Sequence, residues 1–219
     1  MSRLAVLTAL NGYTVIGSDA SPTEEAIRIC RDHGIPIFFS HCEENVDGCD
    51  AFVYTAAISV TNPELARARE LGIKIYTRSE YLGLLTDEFE LSIAVAGTHG
   101  KSTVTHMLSE IFNAADRSPT VLAGATSTNE TNITDANGKT VIYEACEYNR
   151  SFLDFHPKVA VILNIEREHT DTYPTLNDSV NAYFEFARSS KLCILSYDCS
   201  ACRELGRRLS DFGIQVAYF

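Results

Sequence analysis

Leu91-Ser92-Ile93-Ala94-Val95-Ala96-Gly97-Thr98-His99-Gly100-Lys101-Ser102-Thr103 decides the fold of this 219-residue chain. Leu91–Ala96 is an apolar run of strand length. A glycine turn follows, and then a helical segment from about Ser102 to Ala115. A strand that turns directly into a helix is half of a βαβ unit, which implies a parallel sheet. Glycines in such a turn let successive backbone N–H groups face phosphate oxygens, and the helix N-terminus adds favourable partial charge. Lys101 is then placed to reach the β- and γ-phosphates, and the Ser102 hydroxyl to ligate magnesium. The long form of this motif has glycine where Val95 stands, so the match is to the shorter Gly-Thr-x-Gly-Lys-[Ser/Thr] form. The alternative is a glycine turn that opens an ordinary helix.

Toward the N-terminus the same alternation continues. Val15–Gly17 reads as a strand ending at Ser18-Asp19. Ser21-Pro22 reads as an N-cap with proline at the first helical position, and Gly34 stops that helix. Ile35–Phe39 and Ala51–Tyr54 read as strands, Asn62-Pro63 as the cap of a helix that ends at Gly72, and Ile73–Tyr76 as a strand. Met1–Leu10 is apolar but short and runs on into strand-like sequence, without the cleavage site of a signal peptide. The polar stretch Thr86–Glu90 marks a domain boundary near residue 88. Beyond Ala115, strands are expected at Val141–Tyr143, Val159–Leu163, Leu192–Leu195 and Ile214–Ala217, and helices at Leu176–Ala187 and Ala201–Leu209. Thr126–Lys139 reads as a loop or hairpin. The fold class is α/β, an N-terminal Rossmann-like parallel sheet domain followed by an ATPase-type α/β domain.

Composition narrows the function. The chain is 45% hydrophobic and 21% charged, enough for one good core or two small ones. A net charge of −11 without a Lys/Arg cluster argues against nucleic acid and anionic membranes as partners. There is no apolar run of about 18 residues, so no transmembrane helix is expected, and cytoplasmic residence is the default. Seven irregularly spaced cysteines read as reduced thiols. Cys199-Ser200-Ala201-Cys202 is formally a C-x-x-C, but no second ligand pair follows for zinc, and it does not follow a first strand as a redox motif would. It reads as half-buried helix residues.

Two further segments carry chemistry. Glu144-Ala145-Cys146-Glu147-Tyr148-Asn149-Arg150-Ser151-Phe152-Leu153 puts two carboxylates at the end of a strand, where they can hold a cation against a nucleotide or be a solvated acidic loop. Asn164-Ile165-Glu166-Arg167-Glu168-His169-Thr170-Asp171 puts a histidine past the end of the next strand.

These three segments, in this order, resemble the signatures of the Mur ligase family: Gly-Thr-His-Gly-Lys, Glu-Ala-x-Glu-x-x-x-Ser-Phe-Leu and Asn-Ile/Met-x-x-Asp-His-x-Asp. Glu168 stands where the family has aspartate. Tyr54-Thr55-Ala56-Ala57-Ile58 and Asn62-Pro63-Glu64-Leu65 resemble its Ser-Ser-Ala-Ile…Asn-Pro-Glu stretch, with Thr55 and Ala56 in place of the serines. Within the family the resemblance is to the branch that joins L-alanine to UDP-N-acetylmuramate.

The resemblance implies an ATP-dependent ligase of peptidoglycan precursor synthesis that forms its amide through an acyl phosphate. ATP and Mg2+ are the implied cofactors, and UDP-N-acetylmuramate and L-alanine the small-molecule partners. Gly97, Thr98, His99, Gly100, Lys101, Ser102 and Thr103 would hold ATP, and Ser102, Glu147 and His169 the metal. Lys101, Glu147 and His169 would be catalytic, and Asp19, Thr55 and Ala56 would face the UDP-sugar. Residues 1–88 would be a Rossmann-like UDP-sugar-binding domain lacking its first strand and glycine loop, and 89–219 an incomplete central ATP-binding domain. The family's C-terminal ligase domain would lie outside this chain, which is expected to be inactive alone. Three alternatives stay open. They are a murein-tripeptide recycling ligase, a folylpolyglutamate or cyanophycin-type ligase, and a non-catalytic nucleotide-binding module.

Overall fold

The computed structural model describes residues 1–55, 57–123 and 139–219, and the chain divides into two units, Met1–Leu82 and Gly83–Phe219. The sequence places the change of domain near residue 88; the division falls at Leu82–Gly83, inside a helix.

The first unit runs α1 (Ser2–Leu10), β1 (Gly17–Ser18), α2 (Glu24–Asp32), β2 (Ile37–Phe38), β3 (Ala51–Tyr54), α3 (Pro63–Glu70) and β4 (Lys74–Thr77), and enters α4 (Arg78–Asp87). Its strands form two separate parallel pairs, β1 with β2 and β3 with β4. The N-terminal apolar run is a helix that buries Leu4, Val6 and Leu7. Two local readings are corrected here. The second helix begins two residues later than Ser21-Pro22 implies. Thr23 is its cap, its side chain accepting from the Ala26 N–H, whereas the Ser21 N–H donates to Asp19 Oδ1 at 2.9 Å. The expected strands around Val15–Gly17 and Ile35–Phe39 shrink to Gly17–Ser18 and Ile37–Phe38. Asn62 does cap α3, accepting from Leu65 N, with Pro63 at its start.

The second unit continues with β5 (Leu91–Ala96), α5 (Lys101–Ala114), β6 (Thr120–Leu122), β7 (Thr140–Glu144), β8 (Val159–Ile162), α6 (Leu176–Ala187), β9 (Leu192–Leu195), α7 (Ser200–Asp211) and β10 (Gln215–Tyr218). The six strands form one parallel sheet in the order β10-β9-β8-β5-β7-β6. A parallel strand covered on both faces reads as an unbroken apolar run, as β5 does: Ile93, Ala94, Val95 and Ala96 are all buried. Ile93, Val95, Ile142 and Val161 form one core cluster, against which Val104, Leu108 and Phe112 of α5 pack. A second apolar group is aromatic, with Phe152 stacked on Phe186 and edge-on to Tyr183. α6 is started by a capping box between Thr175 and Asp178.

The order of the strands positions the site. From β5 the chain goes to one side of the sheet, through β6 and β7, and then crosses to β8 on the other side of β5. The C-terminal end of β5 is therefore a switch point, where loops diverge and leave a crevice. Because all strands are parallel, the segments after β5, β7 and β8 leave the same edge of the sheet together. Of Thr126–Lys139, all but Lys139 lies outside the described residues, as does Ala56.

Candidate functional site

The turn after β5 has the backbone the motif requires. Gly97 has φ +138° and Gly100, which caps α5, has φ +86°, both conformations that side-chain-bearing residues rarely adopt. A Cβ at Gly97 would also lie 3.2 Å from the Asn164 backbone. The segment after β8 presses against this turn and pins it. Asn164 Oδ1 accepts from the His99 N–H at 2.9 Å, its side-chain N–H donates to the His99 carbonyl at 3.1 Å, and the Glu166 N–H donates to Thr98 Oγ1 at 3.0 Å. His99 and Thr98 thus hold the turn from the loop side, and Asn164 from the strand side.

The acidic segment enters from β7. The Ala145 N–H still donates to the Val95 carbonyl, which carries the pairing with β5 one residue past the end of β7, and Glu147 follows two residues later. A tight turn follows, with Asn149 and Arg150 at φ +55° and +60°. Asparagine tolerates this region; arginine does so at a cost of about 1 kcal/mol. The Ser151 hydroxyl donates to the Cys146 and Tyr148 carbonyls and closes the turn. The buried Tyr173 hydroxyl donates to the Glu147 carbonyl at 2.6 Å. Burial pushes the Tyr173 phenol up to about 12, so it remains a donor across the working pH range.

Glu147 is the centre of the arrangement, with only 4% of its surface exposed. Lys101 Nζ lies 3.0 Å from its Oε2 and also donates to the Gly97 carbonyl at 2.6 Å. His169 Nε2 lies 3.6 Å from its Oε1, and the His169 ring packs on Tyr148 at 4.9 Å between centroids. His169 itself sits at φ +50°. Lys101, Glu147 and His169 come from three segments far apart in sequence, and the sheet brings them together. Ser102 and Thr103 follow Lys101 in the first turn of α5. Asp19 and Thr55 lie in the first unit and bond locally. The Asp19 N–H donates to the Phe38 carbonyl and Thr55 Oγ1 accepts from the Ala57 N–H.

The structure adds residues that the motif reading did not single out. Glu147, Glu168 and His169 offer ligand atoms that all lie within 4.8 Å of one another. Ligand atoms on opposite sides of one magnesium ion are about 4 Å apart, so two carboxylates and an imidazole within 4.8 Å of one another need only a small side-chain movement to share a divalent cation. The signal for Glu168 was its place directly before His169. Asn164 opens the same motif, but its bonds to the His99 backbone, and that of the Tyr173 hydroxyl to the Glu147 carbonyl, appear only in the structure.

Residues 1–90 match the model described as Mur ligase family, catalytic domain, and residues 95–219 match the Mur ligase middle domain. The chain belongs to the Mur ligase family. Relatives named UDP-N-acetylmuramate–L-alanine ligase include those of Alkaliphilus metalliredigens, 39% identical over 95% of this chain and 46% of theirs, and Agathobacter rectalis, 42% identical over 87% and 42%. The chain thus spans about half the length of the curated relatives it matches. The crystal structure of the UDP-N-acetylmuramate-alanine ligase of Thermotoga maritima matches with a TM-score of 0.77 at 32% identity, over 95% of this chain and 48% of that one. A UDP-N-acetylmuramate:L-alanyl-gamma-D-glutamyl-meso-diaminopimelate ligase from Neisseria meningitides has the same fold, with a TM-score of 0.79 at 22% identity, covering 100% of this chain and 73% of that one. Among the described residues no helix is long and apolar enough to cross a membrane.

Proposed function

We propose that these residues form the ATP-binding and UDP-sugar-facing parts of a ligase that joins L-alanine to UDP-N-acetylmuramate, in the cytoplasm, on the route to peptidoglycan. The single observation that carries the reading is the convergence of Lys101, Glu147 and His169 on the glycine turn after β5. The names of relatives 39% to 42% identical support the choice of substrates.

The turn Gly97–Thr103 would take the β- and γ-phosphates on its backbone N–H groups at the start of α5. Ser102, Glu147 and His169 would hold magnesium, with Glu168 beside them. The metal supplies neutralisation of charge at the phosphate oxygens. Lys101 is held in this structure by Glu147 and the Gly97 carbonyl. A phosphate arriving at the turn offers its ammonium a stronger acceptor, and Lys101 then stabilises the negative charge of the moving γ-phosphoryl group. That group passes to the muramoyl carboxylate, and the alanine amine displaces phosphate from the resulting acyl phosphate. Asp19, Thr55 and Ala56, within residues 1–88, would face the UDP-sugar, while 89–219 carries the nucleotide.

Calorimetry of ATP–Mg binding tests this. Lys101→Ala is expected to weaken binding by at least about tenfold, or about 1.4 kcal/mol. Equal affinity in the two proteins would end the assignment.

A further inference from the structure

Cys199-Ser200-Ala201-Cys202 takes no part in the chemistry above, and it lies at the start of a helix with Cys199 half-buried and Cys202 buried. It follows β9 and opens α7, inside the unit β9–α7–β10. Cys199 is the N-cap, with extended backbone at φ −82° and ψ 116°, and Cys202 lies in the first turn. The two residues stand three apart, on the cap and in the first turn of one helix. Cys199 is half-buried and open to attack, whereas Cys202 is fully buried.

We propose that Cys199 and Cys202 are a redox-active dithiol that reacts with low-molecular-weight disulfides and closes to an intramolecular disulfide. What such a motif requires is a helix N-terminus, where unpaired N–H groups and the helix dipole favour a thiolate, and not a first strand. The two thiols differ as an attacking and a resolving group must. Burial opposes ionisation of Cys199, but the neighbouring backbone groups of Ile165, Cys202 and Ala201 and the Cys202 thiol outweigh it and hold the thiol below its ordinary value. Burial pushes the Cys202 thiol far up, and Cys193, on the neighbouring strand, is pushed up to about 12. A metal role finds no support, since among the described residues the one metal-competent group is Glu147, Glu168 and His169.

The step balances as a thiol–disulfide exchange. The Cys199 thiolate attacks one sulfur of the small disulfide, breaks its S–S bond and releases one thiolate. Cys202 gives up its proton and attacks the Cys199 sulfur of the mixed disulfide, releasing the second. The protein loses two hydrogens, and the small disulfide becomes two thiols. The two sulfurs must close to about 2.05 Å. Oxidation also removes the thiol hydrogen that Cys199 donates to the Ile165 carbonyl at 3.8 Å. Ile165 sits between Asn164 and Glu166, the two residues that pin the glycine turn.

The test is equilibration of the chain with glutathione buffers of increasing glutathione disulfide content, acid quenching, alkylation and mapping of every cysteine by mass spectrometry. Cys199 and Cys202 are expected to lose alkylation together, before the exposed Cys146, with no glutathione retained on either. In Cys202→Ala, Cys199 should hold one glutathione. In Cys199→Ser, which keeps a good N-cap, Cys202 should stay alkylated under the same conditions. Retention of glutathione on wild-type Cys199, pairing of Cys202 with Cys193, or alkylation of both cysteines after Cys146 has reacted would each overturn the proposal.

Discussion

Glu64 and Glu147 are both nearly withdrawn from solvent, at 2% and 4% exposure, yet they are held in opposite ways. Glu64, on α3, accepts from the Ser18 hydroxyl at 2.7 Å, from His41 Nδ1 at 3.0 Å and from the Asn45 amide at 2.7 Å. These donors come from β1, the segment after β2 and the short turn that follows it. Both carboxylate oxygens are matched to donors of the same unit, so the carboxylate ties three segments to one helix. Glu147 instead faces the ammonium of Lys101 and the imidazole of His169. Both partners are the kind a phosphate or a cation can displace or share. A buried carboxylate closed by hydroxyl, imidazole and amide donors of its own unit fastens a fold; one faced by a lysine beside a glycine turn is a place where charge is exchanged.

The contrast can be broken most directly at Glu64. Glu64→Ala leaves the Ser18, His41 and Asn45 donors without their acceptor, and is expected to cost about 3 kcal/mol in urea unfolding of the first unit. ATP–Mg affinity should stay unchanged. A loss of ATP binding with normal stability would show that Glu64 belongs to the chemistry rather than the scaffold.

A smaller effect is expected at the turn. Gly97→Ala forces a methyl group to 3.2 Å from the Asn164 backbone at φ +138°, a strain of about 2 kcal/mol. Here stability and ATP–Mg affinity should fall together, because the same backbone forms the fold and the phosphate cradle. A fully stable Gly97→Ala protein with unchanged affinity would mean that the turn relaxes freely and is not preorganised.

The smallest effect sharpens the account of how Glu147 is placed. Tyr173→Phe removes one buried hydrogen bond to the Glu147 carbonyl and is expected to cost about 1 kcal/mol. The accompanying fall in ATP–Mg affinity, measured by the same calorimetry, should be less than that of Lys101→Ala. An affinity loss equal to that of Lys101→Ala would make the turn after β7, and not the lysine, the decisive element.

Much of the second unit was legible in the order of its residues. Leu192–Leu195 and Leu176–Ala187 have the bounds expected of them, and Asn62-Pro63 caps a helix as read. The first unit was less legible. Its strands β1 and β2 are only two residues long, too short for any periodicity to show. Met1–Leu10 is apolar without strict alternation, and its helix combines favourable Leu and Ala propensity with the burial of Leu4, Val6 and Leu7. β6, three residues long, and α4, whose polar end reads as a boundary, were missed for the same reason.

The sequence by itself determined the strand–glycine turn–helix, the Lys101 and Ser102 that open α5, and the three ordered motifs that mark the family. These depend on neighbours within a few residues, where backbone preference and spacing act directly. Only the tertiary structure decided that Lys101, Glu147 and His169 meet, that Glu168 joins them, that Asn164 and Tyr173 hold the turns behind them, and that Glu64 is locked by Ser18, His41 and Asn45. Those contacts join segments that are remote along the chain. They form because parallel strands release their loops on one edge of a sheet, and the register of a sheet is set by packing across it, which no local stretch of residues contains.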